Sequence, residues 1–207
     1  MTKVDVLVFD GVDDLDVVGP LEVLDLSRRA GSGVVARLVA LEPGPGVHTR
    51  AGLTLGPVHR WEPGEADVVL VPGGGFAGGA ATGVRAEIES GRLPGALRAA
   101  ERPGLVFASV CTGALLLAAA GLLDGRPCTT HHLALAELEA AGGRVVPGRV
   151  VDDGDRVTSG GVTSGLDLGL HLVERYAGAE TAAGVARVME HERRDAPASA
   201  GDGVSPR

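Results

Sequence analysis

A cysteine that ends an apolar strand and opens a helix has two ordinary uses. In "VFASVCTGALLLAAAGLL", Cys111 is either a small buried hydrophobe or a nucleophile. A strand-to-helix turn holds a nucleophile clear of the backbone. Gly113 leaves room for the tight geometry. The free N–H groups and positive dipole end of the next helix favour thiolate over thiol by about 0.3–2 kcal/mol. The residues alone leave both uses open. Cys128, in "RPCTTHH", has no such turn and reads as structural.

Three other segments bear groups that such a thiol would need. "DGVDDLDVVGPLEVL" crowds Asp10, Asp13, Asp14 and Asp16 before a helix. Asp10, Asp13 and Asp14 fit a solvated loop with helix caps. Asp16 lies between Leu15 and Val17 and is expected to be partly buried. Facing a cysteine, it would have a raised pKa and could donate a proton near neutral pH. "VPGGGF" ends a strand in a glycine turn whose backbone N–H groups could face developing negative charge. It lacks the acidic partner of a dinucleotide fingerprint and the Gly-Lys-Ser/Thr end of a P-loop. "TTHH" at 129–132 sets two histidines side by side, but no third or fourth ligand has metal-site spacing. No metal is expected, and His131 is expected to line the cleft.

These groups need a scaffold that gathers them. "VDVLVFDG", "VVARLVALE", "ADVVLVPGGG" and "GLVFASV" read as strands alternating with helices. Continuous apolar strands between helices mean an α/β fold: a mostly parallel central sheet with helices on both faces. Ligands bind at the C-terminal ends of such strands. Asp16, the 73–75 glycines, Cys111 with Thr112, and Ser159, Gly160 and Gly161 all fall at those ends. The helix after the acidic loop is expected over "PLEVLDLSRRAG", with Pro20 in its first turn. "VRAEIESGRLPGALRAAERPG" is expected to be helical with breaks at Gly91 and Pro94. "VHTRAGLTLGP" reads as a small hairpin, and "VVDDGDRVTS" as a strand pair.

The composition narrows the class. The 207 residues are 44% hydrophobic but only 2% aromatic, so the core must be Val, Leu and Ala. A net charge of -8 gives no electrostatic footprint for nucleic acid or an anionic membrane. No run approaches a membrane span or a signal peptide, and two cysteines make no disulfide framework. A cytoplasmic protein is expected, with one domain over 1–192 and a disordered tail over 193–207.

"FDGVDDLDVVGPLEVL", "DVVLVPGGGF", "VFASVCTGALLLAAAGLLDGRPCTTHH" and "VTSGGVTSGLDLGLHLVE" together resemble the ThiJ/PfpI superfamily, and most closely its isonitrile hydratase-like branch. The resemblance runs in order from about residue 4 to 190. It implies a flavodoxin-like sandwich and a homodimer. It makes Cys111 the nucleophile, Asp16 its hydrogen-bonding partner and Thr112 a residue that helps hold the site. Gly74 and Gly75 would supply backbone donors, with Ser159, Gly160 and Gly161 as cleft wall. Peptidase-like and glyoxalase-like branches commonly carry His after the cysteine, where this chain has Thr112. The hydratase-like pattern usually reads Thr-Thr-His-Trp, where this chain has His132, which implies a more polar pocket. The same domain forms the sensory half of AraC-type regulators, followed there by a helix-turn-helix region that is not expected here.

The implied function is cofactor-free hydration of an isonitrile to an N-substituted formamide through a cysteine thioimidate. The alternatives are another small-molecule hydratase or hydrolase, or a ligand- or redox-sensing domain in which Cys111 is oxidised reversibly.

Overall fold

The computed structural model describes residues 1–76, 81–194 and 198–199. β1 (Thr2–Leu7) runs through the acidic loop into α1 (Asp14–Arg29) and then β2 (Val34–Ala40). The short strands β3 (Val47–His48), β4 (Thr54–Leu55) and β5 (His59–Arg60) precede β6 (Val68–Val71). Next come α2 (Val84–Ser90), α3 (Arg92–Ala99), β7 (Val106–Ser109), α4 (Gly113–Ala119), β8 (Pro127–Cys128) and α5 (Leu135–Ala140). β9 (Arg144–Val145), β10 (Val150–Asp152), β11 (Arg156–Ser159), α6 (Ser164–Ala177), α7 (Ala179–Val188) and β12 (Ala198–Ser199) complete the order.

The main sheet runs β12-β10-β11-β7-β6-β1-β2-β5. Its pairs are parallel apart from the β10–β11 hairpin. α1, α6 and α7 pack together on β2, β10 and β11, while α2, α3, α4 and α5 pack together on β6 and β7. This is the mostly parallel α/β sheet covered on both faces that the apolar strands predict, and the flavodoxin-like sandwich that the resemblance implies. β6 and β7 are buried at every position, as strands covered on both faces must be. From the neighbouring strands β1 and β6, the chain proceeds to opposite sides of the sheet. That reversal opens a crevice beyond their C-terminal ends. The acidic loop, the 73–75 glycines, Cys111 and Ser159 leave β1, β6, β7 and β11 at that same edge.

α1 begins earlier than "PLEVLDLSRRAG" suggests. The Asp13 carboxylate caps it by accepting from Leu15 N–H at 3.2 Å, and Pro20 lies inside the helix. The early start makes Asp16 a helical residue in a rigid first turn, buried with Val17, Gly19 and Pro20. The break between α2 and α3 is at Gly91, whose φ of 68° ends one helix and starts the next. Pro94 makes no break, because it falls in the first turn of α3, where its missing N–H has no partner to lose. Of the tail over 193–207, Arg193, Arg194 and the β12 backbone are described, and the rest lies outside the described residues. Among the described residues, no helix is long and apolar enough to cross a membrane.

Candidate active site

The four carboxylates of the first loop divide as their surroundings dictate. Asp10 accepts from His48 N–H at 2.8 Å, and Asp14 accepts from Thr49 Oγ1 at 2.5 Å and Ala51 N–H at 3.1 Å. These bonds fasten the β3–β4 hairpin to the first loop and the start of α1. Asp16 alone is fully buried. Its Oδ2 accepts from Gly73 N–H at 3.0 Å. Its carboxyl stands close enough to the Cys111 thiol for each group to shift the other's pKa. Its Oδ1 is buried with no well-formed hydrogen bond among the described residues.

Cys111 occupies a left-handed backbone conformation, φ 55°, which a non-glycine residue adopts only when its surroundings hold it there. The holding groups are visible. Cys111 N–H donates to Gly160 O at 2.8 Å, and Cys111 O accepts from Thr130 Oγ1 at 2.6 Å. Gly113 sits against the Val71 and Pro72 carbonyls, so no Cβ fits there. This close approach sets α4 directly behind the cysteine. The backbone N–H groups of Thr112 and Val162 lie near the Sγ atom and favour its charged form.

Thiol and carboxyl are both displaced toward their protonated forms. Burial pushes Asp16 up to about 7, helped by the Asp13 charge and opposed by Gly73 N–H and the thiol. Burial also pushes Cys111 up to about 12, helped by the Asp16 charge and opposed by the Val162 and Thr112 N–H groups. The raised Asp16 agrees in direction with the expectation for a buried acid beside a thiol. The expected bias of Cys111 toward thiolate is not met in the free protein. Two N–H donors and a short helix do not outweigh burial and an adjacent carboxylate. The pair therefore holds one proton over the range between the two values, shared by a base that is ready and a thiol that is not yet ionised. Cys128 is wholly buried, and burial pushes its thiol up to about 11.

The remaining expected residues fall into place unevenly. Thr112 is buried, and its Oγ1 accepts from Gly74 N–H at 3.1 Å. Gly74 thus holds Thr112, and its amide is already engaged, so it is not the free donor to substrate that the glycine turn suggested. Gly75 N–H has no acceptor among the described residues. Ser159 is also reassigned. Its hydroxyl is fully buried and donates to Ser109 O at 2.9 Å, tying β11 to β7 rather than facing a ligand. Gly160 acts through its backbone, holding Cys111 N–H. His131 stands at the wall with its Nδ1 accepting from Leu133 N–H at 3.3 Å. Burial, and then the neighbouring His132, lower its pKa. The two imidazole rings lie 4.3 Å apart. The 159–161 stretch pointed to this loop, but nothing about a valine pointed to the backbone of Val162. Thr130 was likewise visible only as part of "TTHH".

A cavity of about 600 Å³ opens beside the elbow, lined by Thr130, His131, His132, Arg149, Gly160 and Val162 among others. Leu135, Val145, Val146 and Pro147 give it an apolar side. A second hollow of about 460 Å³ lies on the Gly75 side, against Asp10, His48 and Arg50. Among the described residues, no cluster of three or more His, Cys, Asp or Glu side chains has the arrangement of a metal site.

Comparison with known proteins agrees with this fold. The model of the DJ-1/PfpI family matches residues 2–175. The chain is 36% identical to isonitrile hydratase of Pseudomonas putida, over 97% of this chain and 81% of that protein. A ThiJ/PfpI family protein from Pseudomonas syringae superposes with a TM-score of 0.78 at 30% identity, covering 97% of this chain and 78% of that one. Drosophila melanogaster DJ-1beta shares the fold, with a TM-score of 0.76 at 23% identity over 93% of this chain and 99% of that one. A buried cysteine on a strained strand-to-helix turn, paired with a helical aspartate in this sandwich, thus sits in a chain that belongs to the DJ-1/PfpI family.

Proposed function

We propose that the protein is a cofactor-free isonitrile hydratase in which Cys111 is the nucleophile and Asp16 the proton relay. The observation that carries this reading is the buried Asp16 carboxyl, raised to about 7 and placed against the one cysteine that stands on an elbow. The likeness to the isonitrile hydratase of Pseudomonas putida supports the choice of substrate.

The reaction follows from the proton that the pair shares. Asp16 takes the thiol proton as Cys111 Sγ adds to the terminal carbon of the isonitrile. That carbon then receives the proton from Asp16, which leaves a thioimidate, R–N=CH–S–Cys111. Water attacks the same carbon with Asp16 as base, and the nitrogen is protonated. The tetrahedral adduct expels the Cys111 thiolate, which recovers a proton, and an N-substituted formamide leaves. The balance is one isonitrile plus one water giving one formamide, with no electron acceptor or donor needed. The covalent adduct divides one hard step into two easier ones. The Thr112 and Val162 N–H groups lie where the leaving thiolate charge returns.

The substrate is a small molecule that enters by the cavity beside His131. The chain acts as a homodimer in this reading. Leu15 and Val18 of α1 and Leu53 of the hairpin docked beside it are exposed apolar side chains that a second copy would cover. A cytoplasmic location accords with two free cysteines.

The test is incubation of the purified protein with a small alkyl isonitrile, with NMR detection of the formamide. Turnover by the wild type that is lost in Cys111→Ser supports the reading. Stoichiometric adduct without formamide, or a stable sulfenic acid at Cys111, favours a sensing role instead.

A further inference from the structure

The loop between β11 and α6 holds the cysteine from two directions. Gly160 O accepts from Cys111 N–H at 2.8 Å. Val162 N–H lies near Cys111 Sγ and favours charge on it. Val162 does this with φ at 40°, a left-handed conformation that is especially unfavourable for a β-branched residue. Strain of this kind, on the order of 1–3 kcal/mol, persists only where neighbours over-determine the backbone.

One residue touches both ends of the strained segment. The Arg149 carbonyl accepts from Gly160 N–H at 2.9 Å. The Arg149 guanidinium donates from Nε to Asp167 Oδ2 at 2.8 Å and from Nη2 to Thr163 Oγ1 at 3.3 Å, on either side of the turn into α6. Nη2 also lies 2.7 Å from Asp167 Oδ2. Asp167 is only 2% exposed, and its second oxygen meets His191 Nε2 at 3.2 Å, beyond the end of α7. A buried carboxylate fixed from two sides is a rigid anchor for the planar guanidinium fork.

We propose that Arg149 is a positioning residue for the nucleophile: anchored on Asp167, it clamps the loop at Gly160 and Thr163 so that Val162 N–H stays on the Cys111 sulfur. The clamp acts when charge gathers on sulfur, at attack and again at expulsion of the thiolate. It rests on Cys111 being the reacting group. Alkylation of that thiol needs no isonitrile, so failure of the clamp is separable from failure of the hydratase reading.

The experiment measures iodoacetamide alkylation of Cys111 by mass spectrometry across pH, with kcat and KM for a small isonitrile alongside. A backbone N–H bonded to a charged group contributes enough that losing it slows reaction by about tenfold or more. Arg149→Ala is expected to lower alkylation by about that factor and to lower kcat similarly, beyond any rise in KM from its place on the cavity wall. Arg149→Lys keeps the charge opposite Asp167 but cannot span Asp167 and Thr163 together, so it is expected not to restore the rate. Thr163→Val, at an exposed position, is expected to slow alkylation by about threefold with an unchanged melting temperature. A folded Arg149→Ala or Arg149→Lys protein that melts lower yet alkylates like the wild type overturns the proposal. If Arg149→Ala does not fold, wild-type alkylation in both Arg149→Lys and Thr163→Val overturns it equally.

Discussion

Asp16 and Cys111 share one proton inside the protein, the carboxyl raised to about 7 and the thiol to about 12. This relation has a kinetic signature. Below about pH 7 both groups are protonated, and each unit of pH gained exposes more of the one-proton pair. Above about 7 the pair has lost its first proton, and the small fraction with thiolate beside neutral acid stays constant. Iodoacetamide alkylation of Cys111 should therefore rise with pH to about 7 and then stay level toward 12. Asp16→Asn removes the second group of the pair, so the level region should vanish. Its rate should climb about tenfold per pH unit until the thiol itself titrates. A wild-type profile with no break near 7 would contradict the pairing.

The same carboxyl makes the site costly to fold. The folded-state pKa of Asp16 lies above its ordinary value of 3.8, so the folded protein holds a proton that the unfolded chain releases between about 4 and 7. Stability is lost as pH rises through that window and does not return above it. Asp16→Asn should match the wild type below about pH 4 and be more stable at pH 8, by on the order of a few kcal/mol. Urea titrations at pH 4 and pH 8 measure the difference. Equal stability at both pH values would show that the carboxyl is not buried as described.

Much of this arrangement was readable in the sequence, for physical reasons that differ by residue. Apolar strands such as "VVLV" announced a covered parallel sheet, and the sheet's edge gathered the four loops. Asp16 stood out because Leu15 and Val17 flank it, and it is the acid that burial perturbs. The start of α1 was hidden behind Pro20, which is a helix-start signal only when no cap precedes it, and Asp13 does. The thiol's rise was also hidden, since local geometry at a helix start argues for thiolate, while burial is set by distant elements. The amide of Gly74 and the hydroxyl of Ser159 have partners, Thr112 and Ser109, that only the folded sheet brings near. Val162 matters through its backbone, which residue type does not encode.

Thr130 tests whether the elbow's strain needs support. Its hydroxyl donates to the Cys111 carbonyl at 2.6 Å in a buried setting. Thr130→Val keeps the shape and removes the donor, and should destabilise the protein by about 1–3 kcal/mol while slowing turnover. Thr130→Ser should recover most of both losses. A Thr130→Val protein with wild-type melting and activity would show the elbow to be held by other contacts.

Gly73 tests the spacing between acid and helix. A Cβ there would meet Thr112 Oγ1 at 2.5 Å and Asp16 Oδ2 at 2.9 Å. Gly73→Ala should therefore push Asp16 from its place, lower kcat by at least about tenfold, and cost about 1–3 kcal/mol through overpacking. Circular dichroism and kinetics on the same sample check both, and full activity would mean the Asp16 position is not critical.

The central claim is that Asp16 moves the proton that Cys111 chemistry requires. The most direct measurement compares formamide formation from a small isonitrile by the wild type and by Asp16→Asn at pH 8, with Cys111 alkylation measured on the same preparations. A general acid–base group contributes about 10²–10⁴-fold in rate. The expected result is a folded Asp16→Asn protein that alkylates at Cys111 at least as fast as the wild type, because the opposing charge is gone, yet turns over slower by that factor. Near wild-type turnover by Asp16→Asn would contradict the mechanism.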